Sequence, residues 1–289
     1  MLSLHTNNAA LSAQNSISKT QSSLSTSMTR LSTGYRINSA MDDAAGLQIA
    51  SRLKAQTSGM AVAMRNTQNA TSMLQTGEGA LDEVGNMLVR MKDLATQAAD
   101  ASSTTDDQTA MQSEFDALGK ELRNVLQNTT FGGNKLLVGG TIASTTGMTF
   151  QIGASSSETM KVDLSTDMSS VVTNVTAATA NYASSTGVVG TEIATGTAAN
   201  ATIAKLDTAL ASVNKVRSGL GAAANRLDHV YNNLSNISTN TQAASGLIMD
   251  VDFATESSSM TSNQMLLQAG TAMLKQTNSM SSMVMSLLQ

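Results

Sequence analysis

The chain contains no cysteine, no proline and no tryptophan. Without cysteine it can form no disulfide, no thiolate nucleophile and no thiolate metal site. This is compatible with a protein that is exported and stays unfolded until it arrives. Without proline the commonest helix breaker is missing, so helices can run without interruption. Aromatic residues make up 2% of the chain while Met reaches 19. A core must therefore be built from thin layers of Leu, Ala, Met and Val. Charge is also scarce, with 17 Lys and Arg against 21 Asp and Glu in 289 residues, a net charge of −4. No cluster of Lys and Arg occurs, which argues against nucleic acid or an anionic membrane as the main partner. No run of about 18 apolar residues predicts a transmembrane helix. Met1-Leu2-Ser3-Leu4-His5 lacks the basic and apolar segments of a cleavable secretion signal. The two histidines, His5 and His229, stand alone, and there is no H-E-x-x-H and no phosphate-binding glycine loop. No enzyme activity, no cofactor and no metal are expected.

What the chain does have is periodicity. From 60 to 98, apolar or small residues recur at alternating steps of three and four: Met60, Ala63, Thr67, Ala70, Leu74, Gly77, Leu81, Val84, Leu88, Met91, Ala95 and Ala98. This heptad stripe is the signature of a helix that buries one narrow seam against other helices. At 1.5 Å per residue the element is about 60 Å long. The helix is expected over 44–99. Gly77, Gly79 and Gly85 lie within it, each costing up to about 1 kcal/mol relative to Ala, which close approach of a neighbouring backbone would offset.

Elsewhere the same spacing returns. Residues 1–35 carry Ala10, Ile17, Leu24 and Leu31, with Met28 and Tyr35 on the adjoining row, and no acidic residue. Gly34 and Asn38 then predict a break, with Asp42 and Asp43 in the first turn of the next helix, where negative charge is favoured. A carboxylate pair for catalysis is the alternative, and it is disfavoured because adjacent helical residues point about 100° apart. A third helix carries Met111, Phe115, Leu118, Leu122 and Val125 and ends at Asn128, followed by a turn at Phe131-Gly132-Gly133-Asn134. Segments 148–152 and 159–164 alternate as a β-hairpin. The remainder up to 199 reads as an exposed low-complexity region rich in Ser and Thr, a candidate for O-glycosylation. Heptads resume with Ile203, Leu206, Leu210, Val213, Leu220, Ala224, Leu227, Tyr231 and Leu234, Arg217 being the one charged exception. The last segment carries Leu266, Ala269, Met273, Met280, Met283 and Leu287, and Lys275 is its only charge after Ser257.

The two ends therefore mirror each other, both amphipathic and nearly chargeless. The expected fold is mainly α: long antiparallel coiled-coil helices from both termini, a small β-hairpin region, discontinuous domains and a short outer insertion. The expected domains are 1–43 with 245–289 as paired terminal helices, 44–138 with 200–244 as a long helical bundle, and 139–199 as hairpin and variable surface. Chargeless surface invites association. Many copies around an axis would bury far more of it than one pair of helices can, which predicts a polymer built on both termini.

Several segments give this pattern a family. Leu31-Ser32-Thr33-Gly34-Tyr35-Arg36-Ile37-Asn38-Ser39-Ala40, Asp42-Asp43-Ala44-Ala45-Gly46 and Phe131-Gly132-Gly133-Asn134-Lys135-Leu136-Leu137 occur in the first half. Leu220-Gly221 with Asn225-Arg226, Asp250-Val251-Asp252-Phe253-Ala254-Thr255-Glu256 and Gln268-Ala269-Gly270 occur in the second. Together they resemble the bacterial flagellins over about 1–140 and 200–289. The resemblance implies the structural subunit of the flagellar filament, extracellular, serving motility as a helical homopolymer. It implies export through the flagellar type III system, and an export chaperone on the C-terminal helix. It further implies assembly under a filament cap and onto hook-associated proteins. Chaperone and core assembly then fall to Met265, Leu266, Met273, Met280, Met283, Val284, Leu287 and Leu288. By position, Arg90, Leu94 and Glu114 correspond to the site read by Toll-like receptor 5, with Val89 where such flagellins usually carry Gln. A hook–filament junction protein of the hook-associated protein 3 type shares the terminal-helix plan and is the competing assignment.

Overall fold

The computed structural model describes residues 7–183 and 189–287, with side chains as far as residue 280. Its elements, in order, are α1 (Asn8–Thr33), α2 (Ala44–Ala98), α3 (Thr105–Asn128), β1 (Thr130–Phe131) and β2 (Asn134–Lys135). Then come β3 (Met148–Gln151), β4 (Thr159–Val162), α4 (Ser165–Ala178), α5 (Ala180–Ala183), α6 (Gly196–Met249) and α7 (Phe253–Leu287). They divide into two units, residues 58–238 and residues 1–57 with 239–289.

In the unit 58–238, the heptad stripe of α2 is the core. All twelve of its positions are buried, from Met60 to Ala98. The one polar member, Thr67, is 1% exposed and satisfies its hydroxyl by donating to the Ala63 carbonyl at 2.8 Å. Facing it, α6 runs antiparallel: Lys92 pairs with Asp207, Glu78 with Arg217, and Met60 and Ala63 pack with Leu234. The buried row of α6 is Thr202, Leu206, Ala209, Val213, Val216, Leu220, Ala223 and Leu227. One of its two lines is therefore shifted by one residue from the line expected at 203, 210, 217 and 224. Arg217 is no exception within the seam. It lies beside it and bridges Glu78 and Asp82 at 2.7 and 2.8 Å.

The third helix forms, with its buried line through Gly119 and Leu126 in place of the expected 118 and 125; Leu118 and Val125 are partly buried against the same core. Thr104 opens the helix with a reciprocal capping box: its Oγ1 accepts from the Asp107 amide, and Asp107 accepts from the Thr104 amide. Phe115, Leu122 and Leu126 are then buried in the core. Gly132 and Gly133 take φ of 59° and 86° between β1 and β2, the two positive values that a tight two-residue hairpin demands. β3 and β4 pair antiparallel with Met148 opposite Val162 and Phe150 opposite Met160. Met148, Met160 and Val162 are buried.

Two expectations need correction here. The stretch after the hairpin is not an exposed loop: α4 buries Met168, Val171, Val175 and Ala178, and Tyr182, Ile193 and Ala199 join the same core. The Ser and Thr residues occupy the other faces of α4 and donate to carbonyls four residues back, as Ser170, Thr173 and Thr176 do. The space at Gly77 is filled by a side chain and not by a backbone. A Cβ there would stand 2.8 Å from Ile142 Cδ1.

In the unit 1–57 with 239–289, α1 and α7 lie antiparallel. Asn7 Nδ2 donates to the Thr277 carbonyl, Gly270 faces Ile17, and Arg30 pairs with Glu256 at 3.6 Å. The break expected near Gly34 is present: α1 ends at Thr33, and Gly34 caps it in the left-handed region with φ 76°. Tyr35 is thus past the helix rather than on its apolar row. Asp42 and Asp43 precede α2 instead of lying in its first turn. Asp43 Oδ1 accepts from the Gly46 amide at 2.8 Å, the position of a helix N-cap.

Candidate functional site

The terminal pair α1 and α7 shows what two amphipathic helices can and cannot cover. On α1 the inward line runs through Ala10, Ala13, Ile17, Thr20, Leu24 and Ser27; on α7 it runs through Met260, Asn263, Leu267, Gly270, Leu274 and Thr277. Both follow steps of three and four, so each helix offers its partner one stripe. Gly270 permits close approach, since a Cβ there would stand 2.9 Å from Ile17 Cγ1. Among the described residues of this unit, only Ser27, Ile37, Gly46 and Ala50 are buried.

The sequence placed the working stripe of α7 at 266, 269, 273 and 280, and the structure turns that line outward. Met265, Leu266, Met273 and Met280 are between 56% and 65% exposed. On α1, Leu11 and Met28 are exposed as well. α7 is thus apolar on two adjacent faces, one spent on α1 and one open. The side chains of Met283, Val284, Leu287 and Leu288 lie outside the described residues.

The connectors between the helices are joined to each other. Tyr35 and Asp250 form an antiparallel bridge, with the Arg36 amide donating to the Met249 carbonyl at 2.6 Å and the Val251 amide to the Gly34 carbonyl at 3.0 Å. The Arg36 guanidinium donates to the Ile248 carbonyl at 2.9 Å. Asp42 Oδ2 gathers the amides of Ser39 and Asn38 and the Ser39 hydroxyl. These donors, the Ser39 amide foremost, hold its carboxyl below the usual carboxylate range. Asp252 is lowered too, first by the Thr255 hydroxyl and then by the amides at the start of α7. Both connectors are therefore fixed by ionised aspartates.

On the other unit, the positions that resemble a receptor site separate. Arg90 and Glu114 meet on the surface, Arg90 Nε donating to Glu114 Oε1 at 2.8 Å and its Nη2 lying 2.7 Å from the same oxygen. Val89 is exposed beside them. Leu94 is 2% exposed and belongs to the core.

Sequence reasoning missed a buried polar cluster behind α3. Asp116 accepts from Gln112 Nε2, Asn181 Nδ2 and the Gly190 amide at 2.8, 2.9 and 2.9 Å. Gln112 also donates to Glu192 and accepts from the Ile193 amide, and so holds 189–193 on α3. The Gln112/Asp116 spacing of four was the only available signal. Next to this cluster, burial pushes the Tyr182 hydroxyl up, against an opposing pull from Arg123.

Among the described residues no group of three His, Cys, Asp or Glu converges to hold a metal ion, and no helix is long and apolar enough to cross a membrane. The fold and its open helix face define a helical structural protein that works by association. Comparison with known proteins agrees. The bacterial flagellin N-terminal helical region matches residues 4–141, and the bacterial flagellin C-terminal helical region matches residues 203–288. Flagellin of Halalkalibacterium halodurans is 39% identical over 259 residues, covering 89% of each chain. Flagellin A of Vibrio anguillarum is 34% identical over an alignment of 382 positions covering 100% of each. That alignment exceeds the 289 residues of this chain, so the Vibrio protein carries segments absent here. A solved structure from Vibrio parahaemolyticus, described as a flagellar hook-associated protein, superposes with a TM-score of 0.57 over 72% of this chain and 99% of that one. At 17% identity it shares the fold alone.

The chain belongs to the bacterial flagellin family. It is a structural, self-polymerising subunit of the flagellar filament, outside the cell, and the hook-associated alternative has the weaker support.

Proposed function

We propose that the outward face of α7, with the exposed face of α1, is the surface through which successive subunits join, and that residues 1–43 with 245–289 form the core of the polymer. The observation that supports this is the second apolar line of α7, exposed in the single chain on a helix whose charges are Glu256 near its start and Lys275. Each of Met265, Leu266, Met273 and Met280 would gain about 1–2 kcal/mol on being covered by a neighbour, since part of each is already shielded. One subunit cannot supply that cover. A ring of them can.

The same face suits the other partners that family membership brings. An export chaperone in the cytoplasm would cover the C-terminal helix around 265–288 before passage through the flagellar type III system. A cap protein would then hold the subunit as the face closes on its neighbours, with hook-associated proteins at the filament base. The Arg90–Glu114 pair, with Val89, is the surface offered to Toll-like receptor 5. Leu94 would support it from beneath rather than touch the receptor, because it is buried.

The test is seeded growth. Purified subunit added to short filament fragments should extend them into long tubes seen by electron microscopy. A chain truncated after Asp250 should not. Full-length chain that stays helical but does not extend seeds would overturn the assembly reading. For the receptor, Arg90→Ala with Glu114→Ala should lower signalling by monomer at least tenfold without changing its helical signal; unchanged signalling would remove that part alone.

A further inference from the structure

The methionines of this chain are sorted by exposure. Every methionine within residues 58–238, from Met60 to Met168, is buried or partly buried. Among the described residues the exposed ones, Met28, Met41, Met265, Met273 and Met280, all lie in the unit 1–57 with 239–289. Three of them form the open line of α7. No cysteine is present to react first, so the thioether is the most easily oxidised group the chain offers to a two-electron oxidant.

We propose that Met265, Met273 and Met280 are peroxide-modification sites that switch off subunit addition. This rests on the assembly reading of α7. The chemistry is a simple oxygen transfer. A sulfur lone pair attacks one oxygen of hydrogen peroxide, the O–O bond breaks, and the sulfur keeps that oxygen as a sulfoxide while the other leaves as water after proton transfer. Methionine is oxidised by two electrons and the peroxide is reduced. The product is a polar acceptor on what was an apolar face. Covering it with a neighbouring subunit would strip water from the new oxygen, and the apolar surroundings supply few donors. The buried methionines of 58–238 are shielded, so that unit keeps its fold and only addition is lost. Sulfoxide formation is chemically reversible by reductases of the methionine sulfoxide class, which makes this a switch rather than simple damage. In the finished polymer the same sulfurs would be covered, so growth would be sensitive and the grown filament resistant.

The experiment treats full-length free subunit with hydrogen peroxide, maps the added oxygen by peptide mass spectrometry, and measures seeded elongation. Oxygen should be found at Met265, Met273 and Met280 at least tenfold faster than at Met91, Met111 or Met168, and elongation should fall at least tenfold. Read against its own untreated rate, whatever that rate is, a variant carrying Met265→Leu, Met273→Leu and Met280→Leu should lose a fraction at least fivefold smaller than the parent loses, and methionine sulfoxide reductase should restore the oxidised parent. Equal oxidation across both units would overturn the proposal, as would undiminished elongation of oxidised subunit or a leucine variant that loses as much rate as the parent. If untreated subunit fails to elongate, the assembly reading itself fails and takes this proposal with it; if untreated subunit elongates, only the switch is at stake.

Discussion

The two units use the same residues to different ends. In 58–238, leucine, alanine, valine and methionine on α2, α3, α4 and α6 close over one another, and Leu81, Val84, Ala95, Phe115 and Val213 reach 0% exposure. In 1–57 with 239–289, helices of similar composition pair only with each other, and large apolar side chains stay exposed on α1 and α7. A helix in a bundle of three or more can bury a wide face, whereas a helix in a pair buries one stripe. The difference is one of partner number, and it teaches where the missing partners belong. One unit is complete within the chain. The other, on the proposed assembly reading, is completed by copies of the chain.

Substitutions can break this comparison from either side. The largest effect is expected from Leu266→Gln, Met273→Gln and Met280→Gln together. Seeded elongation should fall at least a hundredfold, since three contacts of about 1–2 kcal/mol each are lost, while the main thermal transition stays put. Phe115→Ala should do the reverse. It removes a fully buried ring from the unit 58–238 and should cost about 3–5 kcal/mol, read as a lower melting temperature by circular dichroism. Next comes Asp116→Ala, which leaves the buried Asn181 Nδ2 and the Gly190 amide without their acceptor and should cost about 1–3 kcal/mol.

Smaller effects sharpen the contrast. Acid should loosen the connectors of the terminal unit. The folded pKa values of Asp42 and Asp252 lie below the ordinary 3.8. Their contribution is therefore complete above that value and is lost as pH falls through the lowered folded values. Helical signal from the terminal unit should weaken below pH 3.8 in the parent, and Asp42→Asn should blunt that acid dependence; an unchanged profile would count against the connector geometry. Smallest of all, Arg217→Met severs bridges to Glu78 and Asp82 that are open to solvent. It should cost under about 1 kcal/mol, with the loss shrinking further in high salt.

Much of this was legible in the residues. The α2 stripe was readable at every position because flanking residues such as Arg65, Asp82 and Asp93 are polar and set it off, although Met87 and Leu94 beside it are buried as well. On α7 the spacing did not show which line α1 would cover, because Met273 and Leu274 sit side by side, as do Leu266 and Leu267. Periodicity finds an apolar face, and cannot choose which of two is covered first. α6 slipped for a related reason: Ala209 and Ala223 are buried, but their neighbours Leu210 and Ala224 are equally or more apolar. In α4 the spacing of Met168, Val171, Val175 and Ala178 was present but diluted by Ser and Thr whose hydroxyls serve the helix's own carbonyls. The Asp116 cluster joins residues more than sixty positions apart, and no local pattern announces such a meeting.

The most direct test of the central claim is amide hydrogen exchange, compared between free subunit and filament. Slow exchange in α2 from 60 to 98, in α3 and in α6 up to 234 is expected in both. α1 and α7 should exchange fast in the free subunit, where each has one partner, and become at least a hundredfold slower in the filament. Equal protection of α1 and α7 in both states would contradict the account, because the terminal unit would then be complete without its copies.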